Sequence, residues 1–237
     1  MTKRITLLLI ASVFLSVLTF AQDTPVPLGS SGDAAPLKKQ YYFFSPRVSI
    51  TVPHPMANRS FKKCFVGVYE ISGGLNVYLY KGLFIGGMYK NGLMKITENK
   101  IADYNASLAY NNVSGKIGGD FYVGEMNKII FSASAAYGHN WSEYQGLKHL
   151  DGEPAPKYTS YTTNFIEPEV NLYFLIESNF AIGATLGYTI QDAHFDPYDL
   201  SLNQYTQFNS HTAVSTKFLS FGFGFYYSML RKKQAQS

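Results

Sequence analysis

Phe180-Ala181-Ile182-Gly183-Ala184-Thr185-Leu186-Gly187-Tyr188-Thr189-Ile190-Gln191 decides the fold. Phe180, Ile182, Ala184, Leu186, Tyr188 and Ile190 fall on one side of a period of two; Ala181, Gly183, Thr185, Gly187, Thr189 and Gln191 fall on the other. Successive side chains of a strand point to opposite faces, so the segment has one apolar face and one small or polar face. A helix would scatter the same residues around its circumference.

Working outward, the alternation recurs along the chain. Val48, Ile50 and Val52 oppose Arg47, Ser49 and Thr51; Ile71, Leu75, Val77 and Leu79 oppose Glu70, Ser72, Gly74 and Asn76. Leu83, Ile85 and Tyr89 oppose Gly86, Met88 and Lys90; Ile117, Phe121 and Val123 oppose Lys116, Gly118, Asp120 and Tyr122. Ile129 to Tyr137, Ile166 to Phe174 and Leu219 to Tyr227 follow the same rule, which makes eight candidate strands. Short turns are expected at Lys81-Gly82, Glu125-Met126-Asn127 and Glu177-Ser178-Asn179, and longer polar segments at Pro53–Lys62, Thr97–Tyr110, Trp141–Ser160 and Asp192–Ser210. Short turns on one side and long loops on the other are the asymmetry of outer-membrane barrels. Ten strands remain open if Thr97–Tyr110 or Asp192–Ser210 forms a further hairpin.

Alternation alone leaves the inner face undecided, because soluble barrels turn the apolar side inward. Here the second face is rich in Gly, Ser, Ala and Thr, which suits a narrow bore better than a surface in water. Phe221, Phe223, Phe225 and Tyr227 form an aromatic row that water tolerates poorly and lipid accepts, since a closed barrel pairs its backbone groups internally. Charged residues are 15% of the chain against roughly 25% in soluble domains. The expected fold is an all-β, transmembrane, antiparallel up-and-down β-barrel in the outer membrane. Aromatics near the short turns (Tyr78, Tyr80, Phe84, Phe121, Tyr122, Phe131, Tyr173, Phe174, Phe180, Phe225 and Tyr227) read as an interfacial girdle.

Ser220, Gly222, Phe225 and Tyr227 in the last strand resemble the C-terminal assembly signal of outer-membrane barrels: a polar residue, a Gly two places on, and two aromatic residues separated by one. The signal normally ends the chain, whereas Ser228 to Ser237 follow here. With the strand pattern, the chain is similar to the small OmpA-, OmpX- and OmpW-like barrels. That resemblance implies insertion by the barrel assembly machinery, and functions in the superfamily range from tethering and adhesion to hydrophobic transport and lipid chemistry.

Residues 1–21 read as a cleaved signal peptide: Lys3 and Arg4, then an apolar run from Ile5 to Phe20, then Ala21 before Gln22. Removing them takes two of the 20 basic residues and none of the 16 acidic ones, leaving +2, too even for a nucleic-acid binder. Residues 22–40, with Pro25, Pro27, Gly29, Gly32 and Pro36, read as a leader without a packed core; residues 41–230 as the barrel; and residues 231–237, with Arg231-Lys232-Lys233, as a polar tail. Cys64 is the one cysteine, so no internal disulfide or cysteine metal cluster is expected.

Seven charges are expected to point inward: Arg47, Glu70, Lys90, Lys116, Asp120, Glu167 and Glu169. Buried charges need partners, so a network of opposite signs that fills the bore is the expected arrangement, with Glu70, Lys90, Lys116, Glu167 and Glu169 at similar heights. A polar path for solutes and a paired-carboxylate role for Glu167 and Glu169 are the alternatives. His54, His139, His149, His194 and His211 fall in or beside the long segments; His194 with Asp192, Asp196 and Ser201 is a conceivable site for lipid chemistry. Trp141, Tyr144, Tyr158, Tyr161, Tyr198, Tyr205 and Phe208 read as loop aromatics suited to contact. No cofactor, metal site or catalytic centre is expected. The leading expectation is a structural or interaction barrel, an accessory subunit of an envelope complex, with outer-membrane lipid and an envelope protein as partners. A narrow channel for small or hydrophobic solutes and a lipid-modifying enzyme are its rivals.

Overall fold

The computed structural model describes residues 42–80, 82–96, 104–123, 128–148, 157–177, 179–200, 202 and 215–230. The signal, leader and tail expected at 1–21, 22–40 and 231–237 lie outside them. Eight antiparallel strands follow in chain order: β1 (Tyr42–Ala57), β2 (Phe65–Tyr80), β3 (Leu83–Ile96), β4 (Tyr104–Val123), β5 (Ile129–Lys148), β6 (Lys157–Leu175), β7 (Phe180–His194) and β8 (Ser215–Tyr227). Each pairs with its successor, and β1 pairs with both β2 and β8, which closes the barrel. A two-residue β9 (Met229–Leu230) carries the line of β8 past Ser228 onto β1.

The faces are as the alternation requires. Val48, Ile50, Ile71, Leu75, Ile85, Ile117, Val170, Leu172, Phe221 and Phe223 are exposed, while Arg47, Glu70, Lys90, Lys116, Asp120, Glu167 and Glu169 are buried. A closed sheet with a greasy outside and a charged inside spans a membrane, because water would expel the one and lipid the other. The fold is a closed transmembrane β-barrel of eight strands.

Three expectations are corrected. The strands run well beyond the apolar band. β4 takes in Tyr104–Tyr110, β5 reaches Lys148, β6 begins at Lys157, and β1 extends to Ala57. Trp141, Tyr144, Tyr158 and Tyr161 are therefore strand residues rather than loop residues. Backbone pairing depends on a neighbouring strand and not on side-chain polarity, so polar stretches remain in the ladder. Second, the described residues add no hairpin; the connection after β1 instead folds as helix α1 (Arg59–Cys64), and that after β7 begins as a 3-10 turn at Pro197–Leu200. Third, Tyr78, Phe84, Tyr122 and Tyr173 point inward and do not belong to an outer girdle; Tyr80, Phe131, Phe174 and Tyr227 do face outward.

Candidate functional site: the charged bore and its apolar plug

Inward positions of non-adjacent strands meet across the bore. Nearest the short turns, Arg47 of β1 donates from Nη2 to both oxygens of Asp120 on β4, at 2.8 and 2.6 Å, and from Nη1 to Ser132 Oγ on β5 at 2.8 Å. With the Asn76 amide turned so that its oxygen faces the guanidinium, it accepts from Arg47 Nε at 2.9 Å. The Tyr78 hydroxyl donates to Asp120 and lies 3.0 Å from that of Tyr226. The guanidinium carbon sits 4.8 Å from the Phe84 ring centroid and 5.0 Å from that of Tyr226. A planar cation hydrogen-bonded to a carboxylate and flanked by aromatic rings is well suited to burial.

Towards the long loops a second cluster forms. Lys90 Nζ lies 2.6 Å from Glu167 Oε1 and 3.1 Å from Glu70 Oε1. Thr51 and Tyr110 donate to Glu70 at 2.9 and 2.8 Å, and Thr189 donates to Glu167 at 2.7 Å. Between the two clusters Lys116 and Glu169 stand 3.8 Å apart, and Asn171 donates to Glu169 at 2.8 Å. The five charges expected at one height thus divide: Glu70, Lys90 and Glu167 form one knot, Lys116 and Glu169 another. Glu167 is bonded to Lys90 at 2.6 Å, whereas Glu169 faces Lys116 at 3.8 Å.

Above the upper knot the bore turns apolar. Phe65, Met94, Ile96, Ala106, Leu108, Tyr110, Tyr144 and Phe218 occupy inward strand positions and pack with Phe61, Cys64, Phe195, Leu200 and Leu202. Helix α1 supplies Phe61 and Cys64 to this cluster. Its cap is Asn58, at φ 66°, whose side-chain oxygen accepts from Phe61 N at 3.2 Å while its amide donates to Phe195 O at 3.2 Å. The short polar side chain of Asn tolerates this left-handed backbone and satisfies a free helix N–H at once.

The residues of the expected assembly signal lie on the closing strand. Ser220 pairs with Pro53 and Gly187, Gly222 with Thr51 and Thr185, and Phe225 with Val48 and Ile182; Tyr227 pairs with Phe180. His54 is exposed on β1. His139 faces outward on β5, 3.0 Å from Asn164 Oδ1, with its ring edge-on to Trp141. His194 ends β7, and His149, Ser201 and His211 lie outside the described residues. Among the described residues no group of His, Cys, Asp or Glu could hold a metal ion. The sequence reading missed the hydroxyl donors Thr51, Tyr78, Tyr110, Thr189 and Tyr226, and it missed the plug. Both were marked only by sharing the parity of the charged positions.

No protein-family profile and no curated protein matches the chain. Solved structures do. A major outer membrane protein from Thermus thermophilus superimposes with a TM-score of 0.51 at 11% identity, over 78% of this chain and 99% of that one. Neisserial surface protein A gives 0.47 at 13% identity, over 78% and 97%. OprG from Pseudomonas aeruginosa gives 0.42 at 9% identity, over 80% and 97%. The fold is that of the small outer-membrane barrels. At such identity the likeness extends to architecture alone.

Proposed function

We propose that this barrel is a closed, non-conducting element of the outer membrane with a structural or interaction role, an accessory subunit of an envelope complex. The observation that supports the reading is the apolar cluster, to which helix α1 contributes Phe61 and Cys64, standing above a bore crossed by ion pairs. A bore of eight strands is about wide enough for side chains to fill. Contact with an envelope partner then falls to the outward aromatics of the upper strands, Tyr89, Tyr137 and Trp141. Insertion by the barrel assembly machinery, through Ser220, Gly222, Phe225 and Tyr227, is part of the same reading, as is the absence of a catalytic step. Planar-bilayer recording of the refolded protein tests it: a silent bilayer is expected. Discrete openings altered by Glu169→Ala would overturn closure. A changed acyl pattern in outer-membrane lipids on deletion of the gene would overturn the non-enzymatic reading.

One observation favours a narrow path for hydrophobic solutes. The β6–β7 ladder stops at Ile166 opposite Ile190 and resumes at Glu169 opposite Gly187, and Pro168 in the interval has no N–H to donate. Uptake of a fluorescent apolar probe into liposomes, faster with the protein than without it and slowed by Pro168→Ala, would support this second reading.

A further inference from the structure

Lys116 differs from the other two bases of the bore. Arg47 and Lys90 each hold carboxylate oxygens within hydrogen-bonding distance. Lys116 is 7% exposed, and its one ionic neighbour, Glu169 Oε1, lies at 3.8 Å, beyond hydrogen-bond reach. Among the described residues no donor–acceptor pair involves its ammonium group. Two further polar atoms nearby are buried without a well-formed hydrogen bond: Asn171 Oδ1, and Thr185 Oγ1, which has only the Tyr173 side chain beside it. All of these side chains line one small cavity, together with Glu169, Ser72 and Met88. Unpartnered buried polar groups are uncommon, and several that face one space call for a ligand there.

The chemistry of the wall defines that ligand. Lys116 offers hydrogens, Asn171 Oδ1 and Glu169 offer lone pairs, and the Thr185 hydroxyl offers either. An anion would meet the Glu169 carboxylate, and a cation would meet the Lys116 ammonium and the Arg47 guanidinium, which also lines the cavity but has its N–H groups held by Asp120, Ser132 and Asn76; the complement is a neutral molecule that both donates and accepts. The cavity admits a molecule of about the size of one water, and two to four polar partners are what a buried water needs. We propose that Lys116, Glu169, Asn171 and Thr185 form a hydration site in the middle of the bore, in which bound water joins the ammonium to the carboxylate. Lys116–Glu169 is then a solvent-separated pair between the two tight charge clusters.

The test uses the full barrel folded in lipid nanodiscs, with labelled methyl groups at Met88 Cε and Thr185 Cγ2. Water-to-methyl NOEs of a long-lived bound water are expected at both. In Lys116→Arg, whose longer planar head reaches Glu169, they should vanish while the barrel remains folded. A folded native barrel without such NOEs, or a Lys116→Arg barrel that keeps them, would overturn the proposal. Should that variant fail to fold, a double-mutant cycle decides. Coupling in the unfolding equilibrium is expected to be below about tenfold for Lys116–Glu169 and above it for Lys90–Glu167. Equal coupling would overturn the proposal.

Discussion

Arg47 on β1 and Asp120 on β4, strands that are not neighbours in the barrel, are joined across the bore by two hydrogen bonds of 2.8 and 2.6 Å. The pair acts as a strut: one charge on each side of a narrow sheet, each stranded if the other is removed. Removing one partner of a buried pair costs about 3–5 kcal/mol, whereas replacing both with apolar residues of similar volume is often close to neutral. Arg47→Met and Asp120→Leu alone are each expected to destabilise by about 3–5 kcal/mol, and the double variant by much less than their sum. Denaturant unfolding in lipid vesicles measures all three.

Helix α1 depends on Asn58, which combines a left-handed backbone with a cap. Asn58→Ala loses both side-chain bonds, to Phe61 N and to Phe195 O, and keeps the strained backbone; Asn58→Gly loses the same bonds without the strain. The Ala variant is expected to be destabilised by about 1–2 kcal/mol and the Gly variant by less. Protease added to intact cells should cut the connection after β1 faster in the Ala variant than in the Gly variant, and in both faster than in the parent.

Gly222 and Gly73 separate steric need from mere composition. A Cβ on Gly222 would stand 2.1 Å from the Ile50 carbonyl oxygen and 2.6 Å from Thr51 Cα, both backbone atoms of the adjoining strand; a Cβ on Gly73 would meet nothing within 4 Å. Gly222→Ala is expected to impair closure between β8 and β1, and Gly73→Ala to be neutral. The folded fraction, read from heat-modifiable migration on gels of outer-membrane fractions, distinguishes the two.

Phe221 faces outward, 59% exposed, well above the short-turn end of β8, and Tyr227 lies at that end. The cost of a cation on the lipid face depends on depth: about 2–4 kcal/mol at the midplane and about 0–1 kcal/mol near the interface. Phe221→Lys should therefore destabilise the barrel much more than Tyr227→Lys, as judged by unfolding midpoints in vesicles. Equal effects would mean that β8 does not face acyl chains.

The strands, their faces and the seven inward charges were legible in the sequence, because alternation along a strand is local: Phe180 to Gln191 declares both faces with no reference to the rest of the chain. That Arg47 meets Asp120, that Lys90 lies between Glu70 and Glu167, and that Lys116 stops short of Glu169 belong to the closed sheet. Tilt and stagger bring positions on separated strands to one height, and no pattern within a strand encodes that stagger. The plug was hidden for a related reason. Met94, Leu108 and Phe218 are apolar residues at inward positions of a barrel whose lower half is charged inside, and only their packing with α1 makes them a core. Composition and period determined a lipid-facing barrel; closure of the sheet decided what fills it.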